Sequence, residues 1–426
     1  MKFNLLTPQD QLVEIISLIY KNKMTTISGG NLSIKDKNGD IWITPAAIDK
    51  GKLKPDDIMC VTSSGEISGK HKPSSEFPFH KSIYDNRPDL KAIIHAHPPA
   101  LVSFSILKKV PDTNIIPRVK KFCGEVGYAD YALPGSQKLG DNIAATFKEG
   151  YNSVLLENHG IVIGSDALIN AFHKLETLEH YSRSLIQAAK IGKVIPPEKY
   201  KPDESEDCKV DPEEFLPGEK SDLEKNLRSE IIDIIKRSCE NQLMGSTEGV
   251  VSMKIDESSF LITPTGIGRR NVEEEDLVLM ENGMREKGKF PSRSVLLHEA
   301  IYKCNPGINA IISAQPPNVQ AYAVSDVDFN TRTIPESYIV LRSIEKIPYE
   351  YQFNNREAVA KTVSLESPVV LLQNDCLLTT GKNLFEAFDR LEVAEFSAKS
   401  SIDAKSIGIV KPMGDKEIDE IIKFFL

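Results

Sequence analysis

Apolar residues recur three and four positions apart in several segments of the chain and form short continuous runs in others. The first spacing is typical of a helix with one buried face, and the second is typical of a strand. The pattern predicts helices at 5–21, 75–86, 99–107, 136–149 and 166–191, with strands at 32–35, 41–44, 58–62, 91–97 and 153–160. Because strand runs alternate with helices, we expect an α/β fold, an α/β/α sandwich with a mostly antiparallel central sheet.

The pattern then occurs a second time, beginning with a helix at 222–240. Short stretches match across the two halves at an offset that drifts only from 219 to 216 residues. The matches are Thr44-Pro45 with Thr263-Pro264, Pro73-Ser74 with Pro291-Ser292, His80 with His298, Pro98-Pro99 with Pro316-Pro317, Asn158 with Asn374, and LETLEHYS from Leu175 with LEVAEFSA from Leu391. A register kept over so many positions indicates a tandem duplication of one domain.

Length and composition agree with two domains. The chain has 426 residues, too many for one ordinary core. Residues 198–222 are rich in Pro, Asp and Glu, a composition typical of a linker. We therefore predict domains at 1–197 and 223–426 with an acidic linker at 198–222.

Charge and cysteine usage narrow the class of protein. The net charge of -9 argues against nucleic acid or an anionic membrane as the main partner. No run approaches the roughly 18 to 20 apolar residues of a membrane helix, and the start lacks the apolar run of a secretory signal. Six cysteines without a CxxC pair favour reduced thiols and a cytoplasmic location.

The sharpest chemical signal is His95-Ala96-His97 at the end of an apolar strand. Residues two apart in a strand share a face, so the two imidazoles are placed to bind one metal ion. Pro98-Pro99 stops the strand and leaves the pair at its open end. The alternative is a pair of ordinary surface or core histidines.

Two further residues favour a metal site. His159 follows another apolar strand and precedes Gly160, where backbones can approach closely, so it is a candidate third ligand. Glu76 stands at the start of a predicted helix. It is a fourth ligand, a general base, or a carboxylate that only satisfies the helix dipole.

The second copy separates these alternatives. Its residues at the four positions differ from the first copy, while the flanking prolines and the asparagine remain. Ser294 stands for Glu76, Ser313 for His95, Gln315 for His97 and Asp375 for His159. Independent structural residues have no reason to change as a set, whereas the members of one site do. His80 recurs as His298 in the copy that lacks the set, so a structural role is expected for it.

Two segments are candidates for binding an anion. In Ser28-Gly29-Gly30-Asn31, glycines and a short amide can turn backbone N–H groups toward a ligand. Ser74-Ser75 precedes a helix start, where hydroxyls and unpaired N–H groups converge. The alternatives are a plain turn and a plain helix cap.

Five stretches of the first copy, taken in order, resemble the class II aldolase and adducin family. They are SGGN (28–31), ITP (43–45), KPSSE (72–76), IIHAHP (93–98) and ENHG (157–160). The second copy resembles the family through ITPTG (262–266), FPS (290–292) and the spacing. The resemblance implies two tandem class II aldolase-like domains, the second of them without its site.

The resemblance also implies a chemistry. It implies zinc, or another divalent ion, held by His95, His97 and His159, with Glu76 as the residue that moves protons. A phosphate would be held by Ser28, Gly29, Gly30, Asn31, Ser74 and Ser75. The implied activity is that of a metal-dependent aldolase-type lyase cleaving a small hydroxylated carbonyl compound, such as a ketose 1-phosphate.

Two departures from the family leave questions open. After ITP the family commonly has a hydroxyl residue and a glycine, and this chain has Ala46 and Ala47. A different acid or diol therefore remains open as the substrate. The proton donor is open among Lys121, Tyr128 and Tyr131.

Rival functions are a metal-dependent dehydratase or epimerase of a sugar phosphate, and a non-catalytic, adducin-like binding or scaffolding protein. Family enzymes are typically four-fold rings. For a tandem chain this implies a homodimer that forms a pseudo-tetramer with two sites.

Overall fold

The computed structural model describes residues 3–197 and 211–426. Its backbone contacts divide the chain into two compact units. One unit holds the residues up to Thr113 with Arg118–Ser182, and the other holds Asn114–Pro117 with Arg183–Leu426. Within the described ranges, no helix is long and apolar enough to cross a membrane.

The first half of the chain contains six α-helices and eight strands among its described residues. The helices are α1 Pro8–Lys21, α2 Phe77–Asn86, α3 Pro99–Ile106, α4 Pro117–Cys123, α5 Gln137–Lys148 and α6 Leu168–Ile191. The strands are β1 Asn31–Lys35, β2 Ile41–Ile43, β3 Met59–Val61, β4 Ile67–Ser68, β5 Ala92–Ala96, β6 Val126–Ala129, β7 Ser153–Leu156 and β8 Ile161–Ser165.

These strands form one sheet in the order β4-β3-β2-β1-β5-β8-β7-β6. Every neighbouring pair is antiparallel except β6 with β7, as the sequence predicts for a mostly antiparallel sheet. A buried apolar cluster joins the sheet to α2 and α5, with Ile93 and Val162 from strands packed beside Phe79, Ile83 and Phe147. The face of β5 that carries Ile93 and His95 is therefore the face covered by α2.

The second half repeats this arrangement. Its helices are α7 Asp222–Glu240, α8 Val295–Cys304, α9 Pro317–Ala323, α10 Pro335–Leu341, α11 Tyr351–Asn354, α12 Arg356–Thr362, α13 Leu384–Ile407 and α14 Asp415–Phe425. Its strands are β9 Glu214–Phe215, β10 Val250–Lys254, β11 Ser259–Ile262, β12 Val278–Glu281, β13 Met284–Glu286, β14 Ala310–Ala314, β15 Glu345–Ile347, β16 Val369–Leu372 and β17 Cys376–Gly381.

The second sheet has the order β15-β16-β17-β14-β10-β11-β12-β13-β9. Apart from β9, this is the order of the first sheet read from the other edge. The register agrees as well, because Asn31 pairs with His95 in one sheet and Val250 pairs with Ser313 in the other. The tandem duplication and the α/β/α sandwich are confirmed.

The first helix of each half begins with the same kind of side-chain cap. The Thr7 hydroxyl accepts a hydrogen bond from the Asp10 amide at the start of α1, and the Ser221 hydroxyl accepts one from the Glu224 amide at the start of α7. Such caps satisfy amides that have no partner inside the helix. The buried face of α1 then carries Leu12, Ile15, Ile16 and Ile19 at helical spacing.

The short helices that follow β5 and β14 are each capped by a carboxylate from a long helix. The Ala100 and Leu101 amides donate to Glu179, and the Asn318 and Val319 amides donate to Glu395. Burial raises the pKa of Glu395 to about 7. In the first half, the hydrogen bonds to Glu179 fix the backbone just after the His95-Ala96-His97 strand.

The strand predicted at 153–160 was too long. Strand β7 ends at Leu156, and residues 157–160 turn into a further strand, β8, that the pattern did not separate. Asn158 adopts φ +54°, as does its counterpart Asn374. Asparagine tolerates this left-handed conformation better than most residues, so the turn is built into the sequence as Glu-Asn-His-Gly.

The predicted linker is described only in part. Residues 198–210 lie outside the described residues. Within the remainder, β9 pairs in parallel with β13, and Arg285 forms ion pairs with Asp211 and Glu214. The distal end of the predicted linker is therefore part of the second sheet.

We predict that Ala47→Gly raises the free energy of unfolding by up to ~1 kcal/mol, because an L-residue is disfavoured where φ is positive. Ala47 has φ +56°, and the matching residue of the second half is Gly266 with φ +74°. The reverse change, Gly266→Ala, should destabilise by a similar amount. Its Cβ would meet open space, so the cost would come only from the positive φ of the backbone. Urea unfolding of both variants tests this, and equal midpoints for all three proteins would contradict it.

Candidate metal centre

His95 is the most buried member of the predicted ligand set. It lies on β5 with no exposed surface. Its Nδ1 donates to the Ile161 carbonyl on the neighbouring strand at 3.0 Å. A carbonyl only accepts, so the proton sits on Nδ1 and the lone pair of Nε2 points away from the strand toward the other histidines.

His97 follows β5 directly, and a backbone hydrogen bond fixes its position. Its amide donates to the Met24 carbonyl at 3.1 Å, and Pro98-Pro99 then begin α3. The Nε2 atoms of His97 and His95 lie 3.0 Å apart. The strand pattern thus brings the two imidazoles together, as the sequence predicts.

His159 reaches the same point from the turn between β7 and β8. Its ring centroid lies 4.8 Å from that of His95 and 5.0 Å from that of His97. One nitrogen from each ring lies within 4.8 Å of those of the other two. Among the residues that the structure describes, this is the one cluster of three or more potential ligands found.

Glu76 completes the group from the first residue before α2. Its Oε2 lies 3.4 Å from Nε2 of His95 and accepts a hydrogen bond from Nδ2 of Asn31 at 2.7 Å. Its carboxylate makes no capping hydrogen bond to α2. The carboxylate is therefore aimed at the histidines and not at the helix it precedes.

Burial sets the protonation state of the three rings. It lowers the pKa of His95 to about 3, with a further contribution from His159. It lowers the pKa of His97 to about 3 as well, with contributions from His95 and His159, and it lowers the pKa of His159. All three imidazoles are neutral at neutral pH, which is the form that binds a metal.

The donor set fits a divalent cation. Ligands about 2.0–2.1 Å from a tetrahedral zinc stand roughly 3.3 Å from one another. The separations here are 3.0 Å between the two Nε2 atoms and 3.4 Å from Glu76 to His95. Three neutral imidazoles beside a carboxylate would otherwise leave buried lone pairs facing one another, which is unfavourable.

The SGGN segment packs against this cluster. A Cβ on Gly30, which has φ +70°, would lie 2.7 Å from the His95 carbonyl oxygen, and one on Gly29 would lie 2.9 Å from Nδ1 of His97. Glycine is therefore needed at both positions, because a side chain there would collide with His97 or with the His95 carbonyl as the SGGN backbone passes the histidines. Asn31 is buried, whereas Ser28 is exposed.

Ser74 and Ser75 lie beside the ITPAA segment. The Ala46 amide donates to the Lys72 carbonyl, and the Ser74 amide donates to the Thr44 carbonyl. The Ser74 hydroxyl accepts from the Glu76 amide at 3.3 Å, and Ser75 is exposed. The two segments predicted to bind an anion thus both adjoin the histidine cluster, through Gly29 and Gly30 and through Glu76.

The three candidate proton donors are scattered over different elements. Lys121 lies in α4, Tyr128 lies on β6, and Tyr131 is 55% exposed. The Tyr131 amide donates to the Glu157 carboxylate, which forms an ion pair with Lys108. The Tyr131 backbone and the Lys108 side chain thus meet at Glu157, two residues before His159.

The second half has the same backbone arrangement around the site but different residues at the four positions of the candidate ligands. Ser313 occupies the place of His95 in the register, and Ser294 precedes α8 as Glu76 precedes α2. Asp375 follows Asn374 in the turn after β16. The positions match one to one, so the substitutions are replacements within one common backbone.

Sequence reasoning missed the partner of Asn31. His80, for which a structural role is expected, has its Nε2 2.5 Å from Oδ1 of Asn31. The two residues are 49 positions apart, and only the pairing of β1 with β5 beneath α2 brings them together. No local spacing in the sequence carries that signal.

Comparison with known proteins identifies the family of the chain. The family model described as class II aldolase and adducin N-terminal domain matches residues 10–186 and 229–402. The chain therefore belongs to the class II aldolase and adducin family and carries two copies of its domain.

Several individual proteins resemble this chain over one domain. An L-fuculose phosphate aldolase of Methanococcus maripaludis is 36% identical over 171 residues, which cover 40% of this chain and 91% of that protein. A 3-oxo-tetronate 4-phosphate decarboxylase of Escherichia coli is 30% identical over 179 residues, covering 41% and 84%. A solved structure of L-fuculose 1-phosphate aldolase is 31% identical, with a TM-score of 0.41, and covers 45% of this chain and 91% of that one.

We predict that Gly160→Ala weakens zinc binding at least ~10-fold, because changes that displace a ligand's support typically cost 10- to 100-fold in affinity. The added Cβ would lie 2.5 Å from the Ala96 carbonyl oxygen and 2.6 Å from Cδ2 of His97. Competition with a chromogenic chelator measures the affinity.

The matched control is Gly140→Ala in α5. The three atoms nearest to its Cβ would all belong to Phe79, the nearest at an ordinary 3.5 Å, so zinc affinity should not change. Equal zinc affinity in the Gly160 and Gly140 variants would show that the turn does not position His97.

Proposed function

We propose that this protein is a metal-dependent lyase that breaks a carbon–carbon bond in a small phosphorylated sugar derivative. The observation that carries the proposal is the Glu76 carboxylate held 3.4 Å from His95 in a cluster of three neutral histidines. Such a cluster offers ligands for one cation together with a group that moves a proton.

His95, His97 and His159 would hold the ion, which we expect to be zinc or another divalent metal. When bound, the ion would polarise a carbonyl oxygen of the substrate and stabilise the negative charge that develops on it. The chain's own contribution is to keep the three imidazoles neutral by burial and to fix the tautomer of His95 through Ile161.

Glu76 would move the proton. Its side chain is 11% exposed, so it can meet substrate at the mouth of the site while Asn31 restrains one of its oxygens. In bond cleavage the carboxylate would accept a proton from a substrate hydroxyl as the carbon–carbon bond breaks. The fragment that keeps the carbonyl would then take up a proton at the carbon that has lost the bond, so that one proton is removed and one is returned.

The phosphate would lie at the SGGN segment and at Ser74-Ser75. Both adjoin the histidine cluster, and Ser28 and Ser75 are exposed and able to meet a ligand. Ala46 supplies no hydroxyl at this point, so the serines and the backbone amides would carry the binding. The relatives that act on phosphorylated compounds support a phosphorylated substrate.

A second candidate activity is the decarboxylation of a phosphorylated 3-oxo acid. The Escherichia coli relative with that name covers the same half of the chain at 30% identity. Both reactions break a carbon–carbon bond of the carbon that is attached to the carbonyl group, and the same residues would serve either. A dehydratase, an epimerase and a non-catalytic scaffold remain alternatives from the sequence.

The test is product analysis with a panel of ketose 1-phosphates and 3-oxo-tetronate 4-phosphate, using protein loaded with zinc. Aldol cleavage gives dihydroxyacetone phosphate and an aldehyde, whereas decarboxylation releases carbon dioxide and one phosphorylated product. We expect Glu76→Gln to lower kcat at least ~100-fold with zinc still bound, because general acid–base groups typically contribute 10²- to 10⁴-fold. His97→Ala should lose both zinc and turnover.

Gln315→Ala changes the residue that matches His97 in the second half and serves as the control. It should keep both zinc and turnover. A fully active His97→Ala protein would refute the site, and wild-type protein that binds no zinc after reconstitution would favour the scaffold.

We further propose that two chains associate into a homodimer, a pseudo-tetramer of four domains in which two carry the histidine cluster. Light scattering at micromolar concentration should give twice the chain mass of 47.4 kDa. A monomer at that concentration would contradict the proposal.

A further inference from the structure

A network of hydrogen-bonded, buried polar side chains runs from the interior of the first half to Glu76. The Ser33 hydroxyl lies 2.9 Å from the Tyr84 hydroxyl and 2.7 Å from Nδ1 of His80. His80 Nε2 lies 2.5 Å from Oδ1 of Asn31, whose Nδ2 donates to Glu76 at 2.7 Å. Ser33 and His80 have no exposed surface, and Asn31 is 4% exposed.

The direction of these hydrogen bonds is set by chemistry. A carboxylate only accepts, so the amide nitrogen of Asn31 faces Glu76 and its oxygen faces His80. His80 must then donate from Nε2 and accept at Nδ1 from the Ser33 hydroxyl. Burial lowers the pKa of His80 well below its usual range, so the ring is neutral and holds one proton.

The second half contains the serine, histidine and tyrosine of this hydrogen-bond network and lacks the asparagine and the carboxylate. Ser252 lies 2.8 Å from Nδ1 of His298 and 2.7 Å from the Tyr302 hydroxyl, as Ser33 does from His80 and Tyr84. There, however, Nε2 of His298 lies 3.3 Å from the hydroxyl of Ser313, the residue that replaces His95.

The second half lacks the two residues that would extend this network to a carboxylate. Val250 stands for Asn31 and Ser294 stands for Glu76. The serine, histidine and tyrosine are therefore part of the common fold. Their connection to a carboxylate belongs only to the half that keeps the three clustered histidines.

We propose that His80 is a positioning residue that acts through Asn31 to hold the Glu76 carboxylate in one orientation against His95. A side chain with three rotatable bonds, placed at the mouth of a site, otherwise samples several rotamers. The inference rests on the proposed role of Glu76 in proton transfer, and the orientation itself can be observed without turnover.

The experiment uses single and double variants of the full chain. His80→Asn can keep the contact with Ser33 but is too short to reach Asn31, whereas His80→Gln can restore a donor near the position of Nε2. Asn31→Val installs the residue that the second half carries at the same place in its sheet, so the backbone is known to accept it.

Three activity results are expected. His80→Asn should lower kcat by ~10- to 100-fold with little change in KM, because groups that orient a site residue typically contribute that much. His80→Gln should recover most of the loss. Adding His80→Asn to Asn31→Val should cause no further loss, because the effect passes through Asn31.

His298→Asn is the matched control, since His298 is equally buried and has the same serine and tyrosine partners. It should lower stability as much as His80→Asn does and leave kcat unchanged. Equal loss of kcat in the two variants, or additive losses in the double variant, would overturn the proposal.

Crystal structures of the wild type, His80→Asn and His298→Asn supply a readout that needs no activity. We expect the Glu76 carboxylate to leave its contact with His95 in His80→Asn but not in His298→Asn. If wild-type protein turns over no substrate of the panel while this displacement occurs, the proposed function fails and the positioning role stands. An unmoved carboxylate in His80→Asn would refute the positioning role whatever the activity.

Discussion

The pairing of β5 between β1 and β8 is the constraint on which the site depends. It sets Asn31 opposite His95 on one side and Val162 opposite His95 on the other. It also brings the Ile161 carbonyl to the ring of His95, which fixes the tautomer that leaves Nε2 unprotonated. A shift of one residue in this register would turn His95 to the opposite face, away from α2 and from Glu76.

Much of this arrangement could be predicted from the sequence, because it depends on local patterns. The apolar run before His95, the two-residue spacing to His97 and the prolines after it predict a pair of imidazoles at a strand end, and the structure has that pair. The turn that carries His159 was predicted as strand, since Asn158 reveals its left-handed conformation only in the backbone. The contact of His80 with Asn31 spans 49 positions and depends on how α2 lies over the sheet, so no spacing rule could find it.

The duplication separates what the fold requires from what the chemistry requires. Both halves keep a buried serine on a strand that contacts a histidine and a tyrosine of the covering helix, and both keep an asparagine with positive φ in the turn after the strand. The second half gives up the clustered imidazoles and the carboxylate together and still forms the same sheet. The recurrence of His80 as His298 fits the contact that each ring makes with a serine through Nδ1, whereas Nε2 of His80 contacts Asn31, which the second half lacks.

The intact sheet of the second half has a consequence for how the protein matures. Many small metalloproteins are unfolded until an ion joins their ligands, so binding and folding are one event. Here an equivalent backbone closes with Ser313 and Asp375 at the ligand positions, held by apolar packing and strand pairing. Folding of the first half should therefore not require a metal. Any ion that the histidine cluster binds would enter a backbone that is already closed, and its identity would depend on which metals are available to the folded protein.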